Sequence, residues 1–436
     1  MKMALRPKTR LRVAYLCDQS PHDTNLYSGG NARIYNAVQK HVGDVHVLSN
    51  SWHLAEPIRR LVEALPEALN LRLRWRLHLL LAPIIAMGVR RELKRADCDV
   101  LLGVYSYQSM FRLRPPKGML SVFTSDATPT VYKRSAVGQA FGSYFKLSRL
   151  IDPLILRTEK SVMQKADLLV WPSAWQDRAA QALYGLTRAK SHCIPWGANI
   201  ERPAPLVAKA APASKGPVQL LFIGRDWFAK GGHVAFHTME ALKARGIKAE
   251  LTVIGCTPPV EFQGDSVKVH ASLNKAIPAE CATFEAALRS ADFLVQASYE
   301  SYGFAFCEAA AYGLPALCLN VGGIPMREGI NGHALQPDAM PEDFADVIDA
   351  YVNDAPAYAA LRQAARAEYE DRLNWDAWGQ SVSALIHDRL NAASVRVTPV
   401  QDFIRQPVRN IQPVMPRQMA KKSATTARLS PTGTSD

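Results

Sequence analysis

FLVQASYESYGFAFCEAAAYG, residues 293–313, reads as a buried strand running into a glycine turn and then into an alanine-rich helix. A strand that passes directly into a helix is one β–α unit, and similar units recur on both sides of it. Buried strand-like runs occur upstream at 11–17, 45–48, 100–104, 119–123 and 168–171, then at 218–223, 250–254, 293–296 and 316–319, with helical patterns between them. A Pro- and Ala-rich stretch, 203–217, separates the two series. The expected class is α/β: two Rossmann-like, doubly wound domains facing each other across a cleft, with ligands beyond the carboxyl ends of the strands. Two C-terminal helices follow at 357–369 and 375–390, the second carrying Trp375, Trp378, Val382, Leu385 and Ile386 near helical spacing.

The expected layout is a basic extension (1–10), a first domain (11–202), a linker (203–217) and a second domain (218–372). A C-terminal helix (373–390) then packs back on the first domain, and a disordered basic tail (391–436) ends the chain.

The 436 residues suit two or three domains, and 48% hydrophobic with 21% charged residues excludes disorder, collagen or coiled coil as the main architecture. The net charge of +13 is unevenly placed: +4 falls in residues 1–10, +6 in 57–95 and +5 in 391–436, leaving about −2 for the rest. A near-neutral body is not the footprint of a nucleic-acid-binding domain. Seven widely spaced cysteines without a C-x-x-C pair indicate neither a disulfide framework nor a zinc site. The run 77–89 holds 13 residues including His78 and Pro83, too short for the roughly 20 a membrane span needs. With no secretory signal pattern at the N-terminus, a cytoplasmic location is expected.

The chemistry concentrates in two stretches. In 297–313, a helix starting near Gly303 leaves the amides of Gly303, Phe304 and Ala305 as unpaired first-turn donors, suited to phosphate. Glu308, one turn on, can take both hydroxyls of a vicinal diol such as ribose, while Glu300 sits at the strand end facing the cleft. The plain structural alternative makes Glu300 a cap-region acid and Glu308 a solvated helix residue. In IGRDWFAKGG, residues 223–232, Gly224 and Gly231–Gly232 frame a loop with Arg225 and Lys230. Two fixed cations at a strand end suit a diphosphate leaving group; the alternative is a basic surface loop.

These motifs, with LNVGGIPMREGINGHAL at 319–335, resemble the retaining glycosyltransferases of family 4, of GT-B fold. Weaker likenesses extend it over about 11–390: Ser28-Gly29-Gly30 after the first strand, Glu159 with Ala166-Asp167, Ser173, Tyr184-Gly185, and Ile194-Pro195-Trp196-Gly197. The resemblance implies that Arg225 and Lys230 bind the donor diphosphate, Glu308 the ribose and Glu300 the transferred sugar. Gly29 and Gly30 would close on the donor phosphates from the first, acceptor-side domain, and Gly322–Gly323 would turn near the site. Many relatives place a histidine after a first-half strand, where this chain reads FTSDATPT; either Asp126 or another residue such as His22 takes that position, or Asp126 only caps the following turn.

Asp97-Cys98-Asp99 spells D-x-D, but at the amino end of a strand, away from ligands. No metal or other cofactor is expected, and G-x-G-x-x-G, Walker A, H-E-x-x-H and G-x-S-x-G are absent. The expected reaction is transfer of a sugar from a nucleoside diphosphate sugar to an acceptor hydroxyl on a glycan, a lipid-linked sugar or a small molecule, in cell-surface polysaccharide or glycoconjugate synthesis. The rivals are a nucleotide-sugar 2-epimerase of the same fold and a non-catalytic nucleotide-sugar-binding regulator. The block 57–95 reads either as a core helix with snorkelling arginines or as an interfacial helix on an anionic membrane, the inner face of the cell membrane, with Trp75 and the leucines inserted.

Overall fold

The computed structural model describes residues 10–394 apart from 24, 25, 50, 141–149, 208, 210 and 215. The expected basic extension, except Arg10, lies outside the described residues, as does the expected tail 391–436 apart from 391–394, which are not disordered but complete the last helix. The chain forms two units: the first runs to Asn199 and takes in Trp375 onward, and the second is Ile200–Asn374.

The first unit contains β1 (Leu11–Leu16), α1 (Gly30–His41), β2 (Gly43–Val47), α2 (Glu56–Glu63), α3 (Glu67–Ala96), β3 (Val100–Val104), α4 (Tyr107–Met110), β4 (Leu120–Thr124), α5 (Pro129–Arg134), α6 (Ala136–Ala140), α7 (Asp152–Lys165), β5 (Leu168–Trp171), α8 (Ala174–Tyr184) and β6 (Ser191–Cys193). The second contains β7 (Val218–Ile223), α9 (Gly232–Ala244), β8 (Ala249–Ile254), β9 (Val267–His270), α10 (Pro278–Ser290), β10 (Phe293–Gln296), α11 (Phe304–Ala311), β11 (Ala316–Leu319), β12 (Gly332–Leu335), α12 (Pro341–Val352) and α13 (Ala355–Asp371). The last helix, α14 (Trp375–Ser394), returns to the first unit.

Each unit is a six-stranded parallel sheet. The first runs β2-β1-β3-β4-β5-β6 and the second β12-β11-β10-β7-β8-β9. Central strands are mostly buried and apolar, β3 and β5 throughout, because helices cover both faces of a parallel sheet. In the first core Leu101, Phe123, Leu169 and Trp171 pack with Ile85, Val89 and Leu93 of α3; in the second Phe222, Val253, Phe293 and Leu317 pack with Met239 of α9 and Ile348 of α12.

Three strands escape the sequence reading: β6 (SHC), β9 (VKVH) and β12 (GHAL). All are outer strands of three or four residues, only partly buried, so they carry no continuous apolar run. The domain boundary also shifts. Residues 200–202 and the expected linker 203–217 belong to the second unit, where Arg202 pairs with Glu370 and the Arg366 guanidinium of α13 donates to the carbonyls of Pro203 (3.1 Å) and Ala204 (3.0 Å).

The second sheet reverses its winding between β7 and β10, where the chain moves outward in opposite directions. That is the point at which an open α/β sheet leaves a crevice beyond its carboxyl edge. The two strands pair only at Phe293↔Leu220 and Leu294↔Leu221, so their outgoing segments carry no shared ladder.

Candidate active site

The loops leaving β7 and β10 flank this reversal, and glycine geometry brings them together. Gly231 has φ 77°, and a Cβ there would lie 2.5 Å from the Ala297 carbonyl oxygen just beyond β10. A Cβ at Gly224 would lie 2.7 Å from the Lys230 Cβ, so this buried glycine makes room for the lysine stem. Trp227, wedged against Phe222 (ring centroids 5.3 Å apart), and the Ala229 N–H donating to Asp226 Oδ1 (2.8 Å) fix the turn between them. The Lys230 Nζ thereby reaches Glu300 Oε1 at 2.6 Å.

Gln296, Ser298 and Glu300 share one side of an extended segment, as residues two apart do. Ser298 Oγ (2.9 Å) and Gln296 Nε2 (3.3 Å) both donate to the Glu300 oxygen that holds Lys230. The strand parity of FLVQASYE contained that signal, but the sequence reading singled out only the last of the three. Gly322 (φ 74°) and Gly323 lie beside this segment, the Gly323 N–H donating to the Glu300 carbonyl at 2.9 Å. The loop beyond them is braced from α13: buried Glu368 accepts from Arg327 Nη1 at 3.0 Å and also pairs with Arg372, which donates to the Pro325 carbonyl at 3.3 Å.

Gly303, at φ 90°, is the N-cap of α11, and Phe304 and Ala305 form its first turn. Glu308 is not the solvated residue of the plain alternative. It is 3% exposed and pairs with Lys275 Nζ at 2.5 Å, the lysine lying 4.3 Å over the Phe284 ring. Lys275 comes from an irregular loop before α10 and carried no sequence signal. Arg225 is exposed, and its guanidinium has no partner among the described residues.

The remaining expected residues lie in the first unit. Gly29 (φ 83°) is the N-cap of α1, followed by buried Gly30. Their loop is held by Asn199 Nδ2 donating to the Ser28 carbonyl (2.6 Å) and by Tyr15 OH against Asn31 Oδ1 (2.7 Å). Asp126 follows β4 and is half-buried. The α5 N-terminus is met by Glu159 of α7, whose Oε1 accepts from the Thr130 N–H (2.9 Å) and whose Oε2 accepts from the Tyr184 hydroxyl (3.0 Å). Burial pushes the Glu159 carboxyl up to about 7, against the lowering effect of those hydrogen bonds. His22 is exposed, edge-on to Tyr35. Asp97 pairs with Arg12, and Asp99 Oδ2 accepts from the Arg12 N–H (2.9 Å), tying the amino ends of β1 and β3.

Lys230, Glu300, Arg225, Glu308, Gly224, Gly303, Phe304 and Ala305 therefore gather at the carboxyl edge of the second sheet. The sequence of this region, residues 217–354, matches the family model described as glycosyl transferases group 1. The second unit contains a glycosyl transferases group 1 domain.

Relatives extend the likeness beyond this domain. A glycogen synthase from Mycobacterium tuberculosis is 29% identical over 224 residues, covering 50% of this chain and 53% of its own. The chain spans about half the length of the curated relatives it matches. Among solved structures, WaaG, a glycosyltransferase involved in lipopolysaccharide biosynthesis, aligns over 86% of this chain and 99% of its own, with TM-score 0.55 and 16% identity. HepE from Anabaena, solved with UDP and glucose, aligns over 87% and 100%, with TM-score 0.52 and 14% identity. At such identities the likeness speaks to architecture, and the architecture shared with the group 1 domain is GT-B.

Proposed function

We propose that the chain is a retaining, metal-independent glycosyltransferase of family 4. It moves a sugar from a nucleoside diphosphate sugar to an acceptor hydroxyl, in the synthesis of a cell-surface polysaccharide or glycoconjugate. The observation that carries this reading is the meeting of Lys230 and Glu300 at 2.6 Å across the winding reversal of the second sheet. A cation for a leaving diphosphate and an acid for a sugar hydroxyl are needed side by side, because the bond that breaks joins those two parts of the donor.

In the proposed reaction the bond between the anomeric carbon and the diphosphate oxygen breaks, and the acceptor oxygen bonds to the same face of that carbon. The acceptor proton passes to the departing oxygen. Lys230, Arg225 and the first-turn amides of α11 stabilise the charge that develops on the diphosphate. Glu300 holds the sugar, and Glu308 takes the ribose through the oxygen not engaged by Lys275. The UDP and glucose bound to HepE support a nucleotide-sugar donor for this fold.

A panel of nucleoside diphosphate sugars tests the reading. One donor raises the melting temperature, and turnover of that donor falls at least a hundredfold in Lys230→Ala while the fold is retained. No stabilisation by any donor, or full turnover in that variant, refutes it.

A further inference from the structure

The solvent side of the first unit carries a feature the reaction does not use. Along α3, Leu69, Leu73, Leu80, Met87, Arg90, Arg91 and Lys94 fall within one stripe about 100° wide, at 100° per residue, running roughly 37 Å. An outer helix normally presents polar side chains there, yet Leu69 is 50% exposed, Leu73 40%, Leu80 61% and Met87 51%. The preceding segment repeats the pattern: Leu54, Ile58 and Leu61, at helical spacing, are 73%, 40% and 71% exposed. Seven of the fourteen large hydrophobics exposed among the described residues thus fall in 34 consecutive positions. Scattered exposed leucines are ordinary, but a contiguous patch is not.

Charge indicates what covers it. The acids of this segment that are described are engaged locally: Glu56 and Glu63 pair with Arg59, Glu63 also with Arg74, and Glu92 accepts from the Ser49 N–H. The Arg59 hydrogen bonds hold the Glu56 carboxyl down to about 2. Arg90, Arg91, Lys94 and Arg95 are exposed with no ion pair among the described residues. No described helix is long and apolar enough to cross a membrane.

We infer that the face built by α2 and α3 docks on an anionic lipid surface, Leu69, Leu73, Leu80 and Met87 entering the headgroup boundary and Arg90, Arg91 and Lys94 meeting lipid phosphates. Apolar stripe and basic cluster together are what such a surface recognises. Trp75, expected to insert, does not belong to this face: it is half-buried and packs against the core. A bilayer is favoured over a second copy of the chain because the described acids of this segment are engaged by its own groups, so a symmetric contact offers Arg90, Arg91 and Lys94 no free carboxylate, whereas lipid phosphates do.

Sedimentation of the full chain with vesicles of phosphatidylcholine alone, or mixed with phosphatidylserine, tests this without any donor or acceptor, so its outcome is independent of the proposed reaction. Wild type pellets with the anionic vesicles. The triple variant Arg90→Gln, Arg91→Gln, Lys94→Gln weakens partitioning about a hundredfold, at about fivefold per basic side chain. The double variant Leu80→Gln, Met87→Gln weakens it more than about tenfold. Both keep the wild-type melting temperature. No pelleting of wild type, or pelleting of both variants to the same extent as wild type, overturns the inference, as does a dimer that the double variant alone abolishes.

Discussion

Glu159 offers the most quantitative test of the first unit. It is fully buried, accepts from Thr130 N–H and Tyr184 OH, and titrates near 7 instead of its ordinary 4.5 because burial disfavours the carboxylate. Below about pH 4.5 folded and unfolded chains both hold the proton. Between 4.5 and 7 only the folded chain holds it, so stability falls as pH rises, and above 7 the full cost of a buried anion persists. The difference amounts to about 3 kcal/mol, at about 1.4 kcal/mol per pH unit. In Glu159→Gln the amide oxygen still accepts from Thr130, and the amide N–H₂ donates to the Tyr184 oxygen, whose hydroxyl turns to Thr128 Oγ1 at 2.6 Å. The variant therefore matches wild type within about 1 kcal/mol at pH 5 and exceeds it by about 3 kcal/mol at pH 8. For a unit of this size that is a gap of about 6–12 °C in melting temperature at pH 8, shrinking to a few degrees at pH 5. Calorimetry of both proteins across that range reads it. A gap that does not change with pH, or a variant less stable at pH 8, would refute a buried anion at this position.

Other outcomes concern the second unit. Gly231→Ala places a methyl against the Ala297 carbonyl in a left-handed backbone, so it should cost at least about 2 kcal/mol in urea unfolding and also lower transfer by displacing Lys230. Glu308→Gln removes a charged acceptor while keeping its shape, and donor affinity by calorimetry should fall about tenfold or more. Lys275→Met leaves Glu308 buried without its cation, costing about 2–4 kcal/mol in the same unfolding assay, discounted because Lys275 is 35% exposed. An unfolding midpoint equal to wild type would show that the pair contributes nothing.

Most of the doubly wound pattern was readable because central strands of parallel sheets are apolar on both faces. Val100–Val104 and Phe293–Gln296 announce themselves without any partner in view. The outer strands β6, β9 and β12 do not, since a strand covered by one neighbour on one side tolerates His, Lys and Ser. The glycines at 224, 231 and 303, the two cations and the two glutamates could likewise be picked out from spacing around strand ends.

Which of these residues meet was a different matter. Glu300 and Lys230 are 70 positions apart, and only the order β10-β7 in the sheet makes their loops neighbours. Lys275 against Glu308, Glu368 beneath the 319–335 loop and Glu159 beneath α5 are pairings between elements whose local sequence says nothing of the partner. The same holds for α3: its composition left a core helix and an interfacial one equally open, and only the tertiary structure packs Trp75 against the core. Local sequence determines how a segment folds, because hydrogen bonding and hydrophobic periodicity act over a few residues. Which side chain is buried, which charge is neutralised and which apolar stripe stays exposed depend on what the tertiary structure brings against that segment.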